Sequence, residues 1–249
     1  MRDGMQAKPY LRDIELKRDK IGSFEEYPFS LPVVRELDFL TFNADVTFFV
    51  GENGTGKSTL IEAIATAMGL NPEGGNKNTS FATEETHTAL YEYIKTVKSF
   101  KKPKDYYFLR AESFYNVATY MDSLIPPPVQ GYGGKSLHHQ SHGEAFMAVL
   151  AHKLRGDGLY FMDEPEAALS PTRQMAALAE IHRLVKMDSQ FIIATHSPIL
   201  LSYPGATIYQ IDGSGIHDVA YTDTDHYEIT RNFLNRHEMM LRELLEDEI

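Results

Sequence analysis

Apolar and polar positions alternate along the chain in two rhythms. Tyr10-Leu11-Arg12-Asp13-Ile14-Glu15-Leu16 follows the period of two that predicts a strand. Residues 10–50 read as two such β-rich segments, separated by a stretch in which Pro28 and Pro32 break any helix. The second segment ends in the apolar run Val46-Thr47-Phe48-Phe49-Val50, and Leu60-Ile61-Glu62-Ala63-Ile64-Ala65 then opens a helix over about 58–69. Asn71-Pro72-Glu73-Gly74-Gly75-Asn76 is a loop, residues 84–99 are helical in part, and Asp105-Tyr106-Tyr107-Phe108-Leu109-Arg110 is a buried strand. A helix is expected over 113–123 and a linker from Pro126-Pro127-Pro128 to Gly133-Gly134. From 143 onward the pattern runs helix, strand, helix, strand, helix-like turn and strand. Arg242-Glu243-Leu244-Leu245-Glu246-Asp247-Glu248 closes a short amphipathic helix expected to pack on the domain.

Within 249 residues this alternation fits one α/β domain, alone or with a small insertion. Hydrophobic residues at 43% and charged residues at 24% are the balance of an ordinary globular protein. No apolar run nears the roughly 18 residues of a membrane span. The first residues lack the apolar core of a signal peptide, so the expected location is the cytoplasm. The absence of cysteine excludes disulfides and thiolate metal sites. A formal net charge of −11 disfavours direct nucleic-acid binding, which relies on Lys and Arg to neutralise phosphates. The one basic cluster, around Lys95, Lys98, Lys101, Lys102 and Lys104, reads as a solvated loop before a strand.

The candidate chemistry begins where the run 46–50 ends. Gly51-Glu52-Asn53-Gly54-Thr55-Gly56-Lys57-Ser58, followed by Thr59, fits the phosphate-binding pattern G-x-x-x-x-G-K-[ST] between a strand and a helix. Glycines let backbone N–H groups approach phosphates at a helix N-terminus. Lys57 is placed to reach the β- and γ-phosphates of a nucleoside triphosphate, and the Ser58 hydroxyl to ligate Mg²⁺. Leu159-Tyr160-Phe161-Met162-Asp163-Glu164-Pro165 is an apolar strand ending in two carboxylates, at the edge where α/β sheets bind ligands. Asp163 is the candidate Mg²⁺ holder and Glu164 the candidate general base for an attacking water. Gln190-Phe191-Ile192-Ile193-Ala194-Thr195-His196 brings a histidine to the same edge, where it could hydrogen-bond a γ-phosphate. Ser141-His142-Gly143-Glu144 opens a helix. It reads either as a second anion site, through Ser141 and the amides near Gly143, or as a capping box. His138, His139 and His142 read as a polar approach to that helix in preference to a metal site.

These elements, in this order, resemble the ABC-type ATPase superfamily over about residues 40–200. Ser141 lies 22 residues before Asp163, and His196 lies 32 after Glu164. The resemblance makes Gly51 to Ser58 Walker A, Asp163-Glu164 Walker B, Ser141 to Glu144 the signature, Ala168-Leu169-Ser170-Pro171 the D-loop, and His196 the switch histidine. It implies a P-loop NTPase of ABC-ATPase type. The expected fold is a central mostly parallel sheet with flanking helices, an N-terminal antiparallel β segment and a small helical insertion, the whole chain forming one domain with a helical subdomain over about 70–150. SHGE replaces LSGGQ, and Walker B continues Glu166-Ala167-Ala168-Leu169-Ser170-Pro171. With Ala194-Thr195-His196-Ser197-Pro198, these departures look like the soluble branch that includes recombination, chromosome-structural and overcoming-lysogenization-defect type ATPases. The closest likeness is to small bacterial AAA-family ATPases with an ABC fold, with which residues 108–116 are also associated. That segment occupies the Q-loop position without a glutamine, and Glu112 is the candidate substitute. The resemblance implies an ATP- and Mg²⁺-dependent ATPase that dimerises on ATP, with the partner's Ser141 facing the γ-phosphate, and an output toward an unidentified protein or a DNA-related process. An upstream aromatic, Tyr10, Tyr27 or Phe29, is expected over the adenine. The alternatives are a transporter's nucleotide-binding subunit, disfavoured by the missing glutamine, or an ATP-gated scaffold in DNA repair or phage defence with little turnover.

Overall fold

The structure is a computed structural model that describes residues 8–79, 88–124, 127 and 129–245. Its centre is a six-stranded sheet of β3 (Val46–Gly51), β5 (Asp105–Arg110), β6 (Gly158–Asp163), β7 (Gln190–Ala194), β8 (Thr207–Asp212) and β9 (Gly215–Asp218), in the order β5-β6-β7-β3-β8-β9. All neighbours are parallel except β8 and β9, which form a hairpin. A second, antiparallel sheet joins β1 (Leu11–Leu16), β2 (Phe39–Thr41) and β4 (Ile94–Lys98) in the order β2-β1-β4.

Strands β3, β6 and β7 are buried along their whole length and mostly apolar, because both faces of the central sheet are covered. Successive side chains point to opposite faces. Val46, Phe48 and Val50 of β3 therefore join one core with Tyr160, Met162, Phe191 and Ile193. Phe49, Phe161 and Ile192 join the other. The first core is closed by α3 (Phe114–Ser123), α4 (His142–Ala148) and α5 (Pro171–Lys186), through Phe114, Phe146 and Ile181. The second is closed by α2 (Lys57–Ala67) and the antiparallel sheet, through Leu60, Ile64, Leu11 and Ile14. Each fully buried Phe contributes roughly 2 kcal/mol. The parallel registers Phe49 with Ala194 and Asp163 with Ala194 bring the ends of β3, β6 and β7 to one edge, and the candidate residues follow at that edge.

Several expectations are corrected. Helices occupy only part of residues 70–150, since β4 and β5 lie there too. The stretch 84–99 is helical in part, as expected, in the 3-10 helix Ala89–Tyr93, but the basic cluster at its end was expected to be a loop. Ile94–Lys98 is instead a strand, with Ile14 opposite Thr96 in β1, because β-branched Ile94, Thr96 and Val97 suit a pleated edge. Residues 80–87 lie outside the described residues. The expected linker at 126–134 anchors a core residue: Tyr132, in a short 3-10 turn at Val129–Tyr132, is buried in the first core. The C-terminal helix is longer than expected and does not pack on the domain as expected. α7 spans Asp225–Leu245, is interrupted at Arg236 (φ −136°, ψ 27°), and buries none of its residues. Its main contacts with the domain are at α6 (Pro198–Leu201) and the 3-10 turn Tyr221–Asp223. Among the described residues no helix is long and apolar enough to cross a membrane.

A candidate nucleotide site at the carboxyl edge of the sheet

The loop from Gly51 to Gly56 leaves β3 and enters α2 directly. Gly56 has φ +98°, and a Cβ there would lie 2.6 Å from Val33 Cγ1 in α1 (Pro32–Arg35), so only glycine fits. Thr55 Oγ1 closes the loop by donating to the Glu52 carbonyl at 2.9 Å. Glu52, Asn53 and Gly54 form its exposed rim, while Ser58 and Thr59 lie in the first turn of α2, whose free N–H groups face the loop.

Lys57 is buried, and its Nζ donates to the carbonyls of Gly51 (2.7 Å) and Glu52 (2.9 Å). Burial lowers its pKa, against the opposing pull of Glu164, Asp163 and Glu52. Ser58 Oγ donates to Asp163 Oδ1 at 3.0 Å. This pairs two hard oxygen ligands from different elements, the donor set Mg²⁺ takes up beside phosphate oxygens. Among the described residues no group of three or more His, Asp and Glu side chains is placed to hold a metal ion, so an ion here would depend on the nucleotide for further ligands.

Burial pushes the Asp163 carboxyl up to about 6, although Arg110 and Ser58 pull it down. Arg110 Nε stands 3.4 Å from Asp163 Oδ2, a charge contact without hydrogen-bond geometry. The same guanidinium bonds Glu62 (2.7 Å), Glu112 (3.3 Å) and the Pro72 carbonyl (3.2 Å). A carboxyl raised from 3.8 to about 6 adds stability that is fully present below pH 4 and is lost as pH rises through 6. Above pH 6 the folded protein therefore bears a penalty of roughly 3 kcal/mol. Nucleotide-free Asp163→Asn should melt roughly 5 °C or more above the parent at pH 8. The gap should fall to about half by pH 5 and close below about pH 4. Thermal melts across pH test this, and a variant that melts lower at pH 8 contradicts it.

Glu164 is a non-glycine residue in the left-handed region (φ 49°, ψ 51°), at a cost on the order of 1–3 kcal/mol. Its N–H bonds the Ala194 carbonyl at 3.0 Å, and its half-exposed carboxylate turns over the edge to within 3.8 Å of His196 Nε2. Glu166 pins the segment after β7, accepting from Thr195 Oγ1 (2.7 Å) and the His196 N–H (2.5 Å). Burial holds the His196 pKa down to about 4, helped by Lys57 and by His226, so the ring is neutral at pH 7. Its Nδ1 lies 2.8 Å from His226 Nε2.

The structure thus brings Lys57, Ser58, Asp163, Glu164 and His196 to one edge. Ser141 and Gly143 sit elsewhere, at the start of α4. The capping box is fully formed: Ser141 N donates to Glu144 Oε2 (2.9 Å), and Ser141 Oγ accepts from Glu144 N (3.4 Å). Arg173 of α5 approaches both Ser141 (3.4 Å) and Glu144 (3.6 Å). A Cβ on Gly143 would lie 2.8 Å from the Ala168 carbonyl, so the start of α4 packs closely on the backbone at Ala168.

Tyr10 is buried at the opposite edge, where its hydroxyl donates to Asp157 Oδ1 (2.5 Å) and the Asp188 carbonyl (2.8 Å) ahead of β6 and β7. It cannot cover an adenine at the loop. Phe29 packs edge-on against Tyr93, and Tyr27 is exposed. Glu112 is largely exposed and pairs with Arg110; at the end of β5 it is Arg110 that stands beside Asp163. His138 contacts Thr119 and Tyr115. Sequence reasoning missed Arg110, Glu166, Arg173 and His226. Only Arg110 left a signal, as a lone cation ending an apolar strand.

A family model described as "AAA domain" matches residues 16–121, and one described as "AAA domain, putative AbiEii toxin, Type IV TA system" matches 132–202. Among solved structures, the chain is similar to cbiO1 from Clostridium perfringens, part of the ABC transporter complex cbiONQ. Identity there is 15%, over 91% of this chain and 96% of that one, with a TM-score of 0.52. It also matches the SMC head domain from Thermotoga maritima at 17% identity, over 85% of this chain and 100% of that one, with a TM-score of 0.45. No curated protein matches the chain in sequence.

Proposed function

We propose that this chain is a P-loop ATPase of the AAA/ABC type, an ATP-hydrolysing switch that closes into a homodimer on binding MgATP and reopens after turnover. The observation that carries this reading is the convergence of Lys57, Ser58, Asp163, Glu164 and His196 on one sheet edge. Lys57 exchanges the carbonyls of Gly51 and Glu52 for the β- and γ-phosphates, to which the amides of the loop and of α2 also donate. Ser58 and Asp163 would hold Mg²⁺, which when bound would supply charge neutralisation at the phosphates. Glu164 takes the proton of the attacking water, and the neutral His196 donates to the γ-phosphate. The partner's Ser141 and Gly143 complete the opposite side of the phosphate, which explains why no residue of the chain's own α4 reaches the loop. The net charge of −11 directs the output to a protein in preference to bare nucleic acid.

A composite site makes turnover depend on association. ATPase rate per subunit should rise with protein concentration through the dimer dissociation constant and then level off. A rate per subunit that stays constant on dilution, in a protein of monomer mass, contradicts the reading.

A further inference from the structure

His226 belongs to no motif, yet its ring touches the switch histidine. It lies in the first turn of α7 and is held from both sides. Buried Thr224 caps that turn, with Tyr227 N donating to Thr224 Oγ1 at 3.3 Å. Asp225 accepts from Gln210 Nε2 at 3.0 Å, and the neighbouring Tyr221 hydroxyl donates to the Pro198 carbonyl at 2.9 Å. This framework sets His226 Nε2 2.8 Å from His196 Nδ1, with the rings tilted and their centroids 5.0 Å apart.

A 2.8 Å separation between two imidazole nitrogens requires one proton between them, since two lone pairs would repel. With both rings neutral only two arrangements exist. If the proton is on His226, it is donated to His196 Nδ1, and the proton of His196 itself is then on Nε2. If the proton is on His196 Nδ1, then Nε2 carries a lone pair. Nε2 is the atom that faces Glu164 Oε1 at 3.8 Å, is buried, and has no hydrogen-bond partner among the described residues. A lone pair aimed at a carboxylate, and beyond it at a phosphate, is electrostatically unfavourable, whereas an N–H there is favourable. Burial and Lys57 lower the pKa of both rings, which supports the neutral pair.

We propose that His226 is a positioning residue that fixes His196 as its Nε2–H tautomer, so that the switch histidine offers a donor to the γ-phosphate. The inference rests on the reading of His196 given above. It also makes the base of α7 the point at which the state of the nucleotide edge reaches an otherwise unpacked helix.

The test combines nitrogen-15 NMR of the histidine-labelled full chain with steady-state kinetics. In the parent, His196 Nε2 should be protonated and Nδ1 bare, and in His226→Leu that bias should be lost. His226→Leu should lower kcat about ten- to hundredfold, with KM for ATP little changed. His226→Gln, whose amide can donate to the same Nδ1, should recover most of the rate. In a His196→Ala background, His226→Leu should cost nothing further. A bare Nε2 in the parent, or a tautomer unaffected by His226→Leu, overturns the inference, and so does an additive loss in the His196→Ala background. Full turnover in His196→Ala alone would instead remove the γ-phosphate role of His196. The NMR result would still decide the tautomer.

Discussion

Glu164→Gln will slow ATP hydrolysis by about a hundred- to ten-thousandfold while ATP binding stays intact, because the substitution removes a base and keeps a shape. The backbone that presents Glu164 does not depend on its charge. The left-handed conformation is fixed by the N–H bond to the Ala194 carbonyl and by Pro165 behind it. The contacts that hold a triphosphate come from Lys57, Ser58 and the loop amides, none of which bonds the Glu164 side chain. Glu164 also lacks the anchoring that Glu166 has. Glu166 is partly buried and bonded to Thr195 and His196, so its loss would disturb the fold of the edge, whereas Glu164 has a half-exposed carboxylate free to meet water. Turnover assays paired with equilibrium binding of a fluorescent ATP analogue separate the two roles, and unchanged turnover removes Glu164 from the mechanism.

Lys57→Met will weaken ATP binding by about a hundredfold or more, the equivalent of roughly 3 kcal/mol for two charge-assisted hydrogen bonds to phosphate. Its effect on the nucleotide-free protein has the opposite sign. Lys57 is a buried ammonium whose charged form is disfavoured by desolvation, and methionine fills the same channel without that cost. Glu52 lies at the exposed rim, where water can replace the lost donor, and the loss of a donor at buried Gly51 offsets only part of the gain. The variant should therefore melt no lower than the parent without nucleotide, and MgATP should no longer raise its melting temperature. A parent-like thermal shift on adding MgATP contradicts the assignment. This residue stabilises function at the expense of the resting fold, and Asp163 does the same across the site.

The parts of the site that are local in sequence could be read from it. The phosphate loop is eight consecutive residues between a strand and a helix, and its geometry follows from glycine spacing alone. Asp163, Glu164 and His196 were found because each ends an apolar strand, and parallel strands deliver their carboxyl ends to one edge. The parts that escaped depend on pairings far apart in the chain. Arg110 meets Asp163 across neighbouring strands 53 positions apart, and both Glu166 and His226 meet His196 from 30 positions away. None of these pairs has a period or a spacing that a pattern could detect. β4 was misread because its lysines gave a polar segment the look of a loop, while Ile94, Thr96 and Val97 carried the weaker strand signal. α7 shows a further limit. Its apolar positions, including Ile229, Phe233 and Leu244, have the spacing of a buried face, yet among the described residues none of them is buried.

The central claim is that ATP joins two copies of this chain. Light scattering of Glu164→Gln, with and without MgATP, tests it most directly, because slow hydrolysis keeps the closed state populated. The account predicts the mass of one 28.2 kDa chain without nucleotide and twice that mass with MgATP. A mass unchanged by MgATP, in a variant shown to bind it, would contradict the switch and leave Ser141 and Glu144 as a helix cap alone.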